Sequence, residues 1–439
     1  MSHLSPARRA AVLIGRAVRE RNAYASEVAH ALLSKTKLSP ADRAFALKLS
    51  LGVTATMGTL DEVINKSLRN PDDITPEVRD AMRISVYEMI YLDKQDHAAV
   101  DQGVELVRSV APKAAGLANA VLRKIAKSAE AFPYGNPEIN NQALARQYAF
   151  PLWLAKRLIG ELGREEAIQF MKISNMDAPI FLSNNACAPE GFSWDALCED
   201  GTVTPHETLD GCYLLNEGSA ITGHPLSDGL RNGSVLVSDE AAQSVVDFVI
   251  DEKQPESFLE IGCGRGTKTV LLQSQAQRKY GQQMKLTSVD NYQFKVDIVK
   301  KRAAASGIQL EDAVVADATH LDKTFDGQLF DAVFIDAPCS GMGTLRRHPE
   351  IRWRRSQKDV TMLADIGFAM LHEAAKHVNV DGELTYATCT ILREENEDVI
   401  NRFMKTKVGE AFKVVKTMRT QLTEGGPDAH FAVKFVRIR

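Results

Sequence analysis

From about Ser238 onward the chain alternates two kinds of segment. Short apolar runs, SFLEI, KLTSVD, AVVAD, DAVFIDAP and ELTYATC, each end near a polar or acidic residue, and a helix-length stretch lies between most of them. That rhythm predicts a parallel sheet wrapped by helices, an α/β doubly wound Rossmann-like domain over 238–439. Ligands of such sheets bind beyond the carboxyl ends of the strands. The last two apolar segments, FKVVKTM and HFAVKFVRI, are candidates for an added antiparallel pair.

The rest of the chain reads differently. With 439 residues it exceeds what one hydrophobic core usually serves, so several domains are expected. Residues 1–130 carry apolar side chains at three- and four-residue spacing in AAVLIGRAV, AFALKLSLGV, LDEVINKSL, AMRISVYEMIYL and GLANAVLRKIA, which predicts an all-helical bundle. Ser39-Pro40 and Thr75-Pro76 are helix starts, a capping residue followed by proline in the first turn. No catalytic cluster occurs in this part, so its expected role is binding or docking. EAFPYGNPEINNQ, residues 130–142, concentrates Pro, Gly and Asn and predicts a linker. Residues 143–237, with APIFLSNN and GCYLLNEG between turn residues, predict a small α/β middle domain.

Composition excludes several classes. Hydrophobic residues at 44% and charged residues at 25% describe an ordinary globular protein. No run of eighteen apolar residues occurs, and the start MSHLSPARRAAVLIGRAV is too charged for a signal peptide, so no membrane association and a cytoplasmic location are expected. The six cysteines form no C-x-x-C pair and no H-E-x-x-H is present, so neither a disulfide framework nor a metal site is expected. Cys187, Cys198 and Cys212 read as small buried hydrophobes. The net charge is −4, yet residues 1–130 hold 19 Lys+Arg against 15 Asp+Glu, a local excess of positive charge.

LEIGCGRGTKT, residues 259–269, runs a strand into Gly262, Gly264 and Gly266 and then into a helix. Glycines allow the sharp turn and the close approach of a ligand to helix-start amides, here around Cys263, Arg265, Thr267 and Lys268. Dinucleotide sites use similar loops, but a row of carboxylates at the strand ends, Glu260, Asp290, Asp317 and Asp336, suits a cofactor bearing a sulfonium and an amino group. S-adenosyl-L-methionine is therefore the expected cofactor, with Asp290 accepting from its ribose hydroxyls.

Two thiols follow two strands, Cys339 in IDAPCSG and Cys389 in TYATCTI. Carbon 5 of cytosine is a poor nucleophile. A thiolate adding to carbon 6 makes carbon 5 enamine-like, able to take a methyl group, and loss of the carbon 5 proton then expels the thiolate. Such chemistry needs a thiol near the methyl donor, a carboxyl group on the pyrimidine edge and a base for elimination, and Asp336, Cys339 and Cys389 supply that set. The target base must also leave its stack. Just downstream, LRRHPEIRWRRS interleaves Arg346, Arg347, His348, Arg352 and Trp353, a pattern that fits a phosphate backbone with stacked bases.

FIDAPCSGMGTLRRHPEIRW and LTYATCTILREENEDVI resemble the fourth and sixth motifs of the Sun/RsmB-type RNA cytosine-5 methyltransferases. LDEVINKSL, AMRISVYEMIYL, AAVDQGVELV and GLANAVLRKIA are similar to the NusB-like domain fused in front of the bacterial 16S ribosomal RNA members. The resemblance implies a NusB-like helical bundle, an RRM-like middle domain and a class I methyltransferase domain. It implies Cys389 as nucleophile, Cys339 as the residue assisting product release, Asp336 at the base, and cofactor contacts from Gly262 to Lys268, Asp290, Asp317 and Asp336. It also implies a monomer acting on RNA, most directly 16S ribosomal RNA, with transfer RNA or DNA as other substrates for the same chemistry. A non-catalytic RNA-binding assembly factor is the reading from a different class. The sequence departs from the family where Gly264-Arg265-Gly266-Thr267-Lys268 replaces Ala-Pro-Gly-Gly-Lys, where Leu182-Ser183-Asn184 replaces Arg-Val-Asn, and in the closing GPDAHFAVKFVR, which lacks Gly-Phe-Phe.

Overall fold

The computed structural model describes residues 4–92 and 96–439, so Met1 to His3 of the charged start lie outside the described residues. The chain forms two compact units, one of residues 1–176 with 345–357, the other of residues 177–344 with 358–439.

The first unit is helical: α1 (Pro6–Arg21), α2 (Ala25–Leu33), α3 (Pro40–Ser67), α4 (Pro76–Tyr91), α5 (Asp96–Val110), α6 (Ala115–Ala129), α7 (Asn141–Gln147), α8 (Leu152–Leu162) and α9 (Arg164–Ile173). Ser39 caps α3 by accepting from the Asp42 amide, with Pro40 in the first turn. Thr75 makes no side-chain cap at α4, where Pro76 alone marks the start. Leu49, Leu60 and Ile64 of α3 pack with Val78, Ala81 and Met82 of α4, Val107 of α5 and Leu122 of α6. Ion pairs tie the helices together, Arg8 with Glu88, and Arg83 with Asp61 and Asp80.

The expected linker is part of this unit. Phe132 and Tyr134 pack on its core, Phe132 standing edge-on to Tyr91 at 5.5 Å, and Asn140 caps α7 by accepting from the Gln142 and Ala143 amides. A Pro/Gly/Asn-rich stretch thus turns sharply while two aromatic rings anchor it. In consequence, α7 to α9 belong with the helices before them rather than with the small sheet that follows.

Two sheets build the second unit. The smaller consists of β1 (Ile180–Asn184), β2 (Val203–Pro205), β3 (Cys212–Leu215) and β4 (Val235–Val237), antiparallel in the order β2-β3-β1-β4. Leu182, Trp194, Leu197 and Leu215 fill its core, Trp194 stacking on Tyr213 at 3.9 Å. The larger has seven strands: β5 (Phe258–Ile261), β6 (Leu286–Asp290), β7 (Asp312–Val315), β8 (Phe330–Asp336), β9 (Val378–Thr388), β10 (Phe412–Arg419) and β11 (Phe431–Arg437). Their order is β10-β11-β9-β8-β5-β6-β7, with β5 to β9 mutually parallel and β10 and β11 antiparallel, as the two closing segments suggested. Strand order runs outward from β5 through β6 to β7 and then resumes on the other side of β5 with β8. The crevice between β5 and β8 is therefore the topological switch point, where such sheets bind ligands.

Candidate active site

Glycine geometry shapes that crevice. Gly262, Gly264 and Gly266 all have φ between +58° and +84°, a region that L side chains rarely adopt. At Gly262 a Cβ would stand 2.5 Å from the Asp336 carbonyl oxygen, so β5 and β8 approach each other there only because the position is glycine. The helix Thr267–Tyr280 begins at once, and the loop before it is held by the Gly262 and Cys263 amides, which donate to the Val289 carbonyl, and by the Gly266 amide, which donates to that of Cys263. Asp290, at the end of β6, accepts from the Gly264 amide at 3.1 Å, the Tyr292 amide at 3.2 Å and Lys295 Nζ at 3.2 Å. Under the loop, Glu260 is fully buried. Its Oε2 accepts from the Thr269 and Ser288 hydroxyls, both at 2.7 Å, while Oε1 has no protein partner. Burial outweighs those two bonds and pushes its carboxyl group up to about 7.

Asp336 ends β8 and accepts from Lys268 Nζ at 2.7 Å, which joins the glycine loop to the DAPC segment. Burial works to lower the Lys268 ammonium group, but the attraction of Asp336 wins and leaves it raised and charged. Three residues on, Cys339 Sγ lies 3.3 Å from Cys389 Sγ, and the Cys389 amide points at the Cys339 sulfur from 3.3 Å. Both thiols are half-buried, and either one as a thiolate would favour the charge on Lys268. Contact with Cys389 and then burial drive the Cys339 thiol well above the ordinary range, so it keeps its proton. Glycine loop, Lys268, Asp336, Cys339 and Cys389 are thus one cluster at the switch point.

The remaining expected site residues lie beyond β7 and behind the loop. Asp317 lies two residues beyond β7, largely exposed, its carboxylate accepting from the Thr319 amide and hydroxyl. Thr267 Oγ1 accepts from Arg302 and Cys263 is buried with Val296 and Val299, so these two side chains support the loop from behind.

The basic segment requires a correction. Residues 345–357 belong to the helical unit, and Arg352 has no exposed surface. Its guanidinium group donates to the Ala149 and Ser174 carbonyls, both at 3.2 Å, and to Asn175 Oδ1 at 2.7 Å, and it lies 4.3 Å over the Phe150 ring. Trp353 donates to the Ala55 carbonyl at 2.9 Å and packs on Gly58, where a Cβ would come within 2.3 Å of the indole. His348 lies against Tyr24 at 4.5 Å. Arg352, Trp353 and His348 therefore pin the segment among the helices, Arg352 with no surface to offer RNA and the two rings half-buried. Arg346 is almost wholly buried and Arg347 half-buried.

Relatives now bear on this geometry. Residues 248–433 match the family model described as 16S rRNA methyltransferase RsmB/F, and residues 5–127 match that of the NusB family. Over 400 residues the chain is 31% identical to a Mycobacterium tuberculosis protein named as a methyltransferase, covering 88% of this chain and 84% of that one. The chain belongs to the RsmB/F methyltransferase family. Ribosomal RNA small subunit methyltransferase B of Escherichia coli is 28% identical over 375 residues, 84% of this chain and 83% of its own. Among solved structures, PH0851 covers the whole of both chains at a TM-score of 0.82 and 22% identity, so the two share a fold over their full length. The structure of NSun6 from Pyrococcus horikoshii with SFG covers 66% of this chain and 99% of its own, at a TM-score of 0.56 and 15% identity.

In this RsmB/F chain the thiols have a frame that sequence reasoning missed. Glu395 accepts from the Ser340 amide at 2.6 Å and from its hydroxyl at 2.5 Å, holding the residue after Cys339. Asn396 accepts from Thr388 Oγ1 at 2.6 Å and donates to the Thr390 carbonyl at 2.9 Å, bracketing Cys389 on both sides. The adjacent pair Glu-Asn in LREENEDVI thus clamps both cysteine loops, and only the recurrence of polar residues so soon after a strand end could have signalled it.

Proposed function

We propose that this RsmB/F protein transfers a methyl group from S-adenosylmethionine to carbon 5 of a cytosine in 16S ribosomal RNA, through a covalent adduct with Cys389, in the cytoplasm. The observation that carries this reading is the 3.3 Å separation of two sulfurs on adjacent strand ends beside the Lys268–Asp336 pair. Fit to the cofactor rests on two features: the backbone cradle at Gly262 that a Cβ would fill, and the buried Glu260 Oε1, which suits a cationic amino group. When bound, the cofactor supplies an electrophilic methyl group on a sulfonium.

The protein's own residues do the rest. Lys268 donates to Asp336 Oδ2, which leaves Oδ1 to accept from the exocyclic amine of the cytosine. Cys389 passes its thiol proton to solvent and adds as thiolate to carbon 6, and the electron pair of the ring double bond moves to carbon 5, which then takes the methyl group. Water takes the proton from carbon 5, while Cys339, which keeps its thiol proton, donates to the Cys389 sulfur 3.3 Å away and so assists its release. The bonding pair re-forms the ring double bond and expels the Cys389 thiolate. Substrate choice follows the relatives named for the small ribosomal subunit. Cys389→Ala is expected to abolish both methylation and adduct formation, whereas Cys339→Ala accumulates a covalent RNA–protein complex on denaturing gels. A Cys389→Ala enzyme that still methylates RNA refutes the assignment, and bisulfite sequencing of ribosomal RNA with and without the gene tests the substrate.

A further inference from the structure

We infer that Asp322, Glu373 and His377 form a binding site for a divalent transition ion, remote from the thiols. Glu373 and His377 lie four residues apart where the helix Gln357–Ala374 passes into a last tight turn, so their side chains share a face. Asp322 begins the short helix Asp322–Phe325 after β7. One donor atom from each of the three lies within 4.8 Å of the others.

His377 makes this more than a pair of carboxylates. It is 2% exposed, and its Nδ1 lies 2.9 Å from the Gln328 carbonyl, which can only accept, so Nδ1 carries the proton. That bond leaves the Nε2 lone pair buried, with no hydrogen-bond partner, facing the carboxylates. A backbone carbonyl fixing the far nitrogen is the usual support of a metal-binding imidazole. Nε2 is 3.3 Å from Asp322 Oδ1 but outside hydrogen-bond geometry. Two acceptors facing each other at that distance call for a positive charge between them. The spacing is also about the edge of a tetrahedron whose ligands sit ~2.0–2.1 Å from one ion.

Lys376 now supplies positive charge from the side. Its ammonium group donates to Glu373 Oε2 at 2.5 Å and to Asp322 Oδ2 at 3.5 Å. The side chain is 39% exposed, so it can swing into solvent and yield both carboxylates. One imidazole with two carboxylates suits Zn²⁺, Co²⁺ or Mn²⁺ better than Ca²⁺ or Mg²⁺, which prefer all-oxygen shells. The site lies at the amino ends of β8 and β9, Gln328 just before one and His377 just before the other, while Cys339 and Cys389 follow their carboxyl ends. A strand the length of β8 puts about 20 Å between the two places. An ion here would tie the lead-ins of both thiol-bearing strands to the helix Gln357–Ala374.

The test is direct titration of the full-length protein with Zn²⁺ by calorimetry and with Co²⁺ by visible absorption, the latter because thiolate ligation would add an intense charge-transfer band. One ion per chain without that band is expected. His377→Gln and Glu373→Gln should each weaken binding by about 100-fold or more. Lys376→Ala, at a partly exposed position, should keep the fold and tighten binding about tenfold by removing the competing ammonium group. No saturable binding, binding unchanged by His377→Gln, or a Lys376→Ala protein that binds no more tightly than the original each overturns the proposal.

Discussion

Replacing Arg352 by Met separates two readings of the basic segment. If the guanidinium group is an internal anchor, the substitution removes three charge-assisted bonds, to the Ala149 carbonyl, the Ser174 carbonyl and Asn175, together with its stacking over Phe150. Bonds to a charged group contribute roughly 1.5–3 kcal/mol each and the ring interaction about 1–2 kcal/mol, so together these interactions are worth about 8 kcal/mol. Against this stands the cost of keeping a charge inside: burial lowers the Arg352 guanidinium from 12.5 to about 9, a penalty of about 5 kcal/mol that Met does not incur. The net expectation is a destabilisation of about 3 kcal/mol. Two units in one chain make a single global transition unsafe, so the measurement is hydrogen exchange of amides in α7 to α9, which should lose protection by that amount. A phosphate-binding role predicts the reverse: normal protection, weaker RNA binding, and a salt dependence shallower by about 0.7 for each phosphate no longer neutralised. That second pattern would refute the anchoring role.

Three further predictions address the methyltransferase unit. Glu260 is raised from 4.5 to about 7, so its folded form holds a proton that the unfolded chain has released; the associated stability is complete below about pH 4.5 and lost as pH rises through 7. Glu260→Gln should flatten that dependence and raise stability at pH 8 by about 3 kcal/mol, measured by hydrogen exchange of β5 and β6 amides across pH 5–9, while cofactor affinity falls; an unchanged pH profile counts against it. Gly262→Ala places a methyl group 2.5 Å from the Asp336 carbonyl at a φ of +84°, with strain of about 1–2 kcal/mol before any clash. Calorimetry with S-adenosylmethionine should then show at least tenfold weaker binding, about the equivalent of that strain, and unaltered affinity would remove the cradle from the account. Glu395→Gln turns an acceptor of two short bonds from Ser340 into a group with one acceptor oxygen, so kcat should drop about tenfold with KM little changed. A shift confined to KM would place Glu395 in substrate binding instead.

What the sequence reveals depends on whether a signal is local. The β5-to-β9 alternation, the glycine turn and the closing antiparallel pair were legible because period and turn chemistry are properties of neighbouring residues. Asp336, Cys339 and Cys389 could be grouped because each follows a strand of one parallel sheet, whose carboxyl ends share an edge. Glu395 and Asn396 were not, since their partners Ser340, Thr388 and Thr390 meet them only when two loops fold together. Phe132 and Tyr134 show the opposite failure, a turn-rich composition hiding two rings that pack on a core.

The LRRHPEIRWRRS segment shows most clearly why composition cannot decide function. Arginine and tryptophan suit a phosphate backbone with stacked bases, and they equally suit a buried joint, where a guanidinium group caps exposed carbonyls and an indole fills a glycine gap. The deciding quantity is burial, which composition does not contain. Gly58 is the residue that settles it, because a helix position lacking a Cβ is needed only if a ring lies against it, and Trp353 does. Gly58→Ala is therefore expected to expel the indole and free residues 345–357 from the helices, leaving the remaining helical core folded. Trp353 fluorescence should shift to the red and proteases should cut near Arg354; a substituted protein with unchanged emission and cleavage would mean that the indole is not held there.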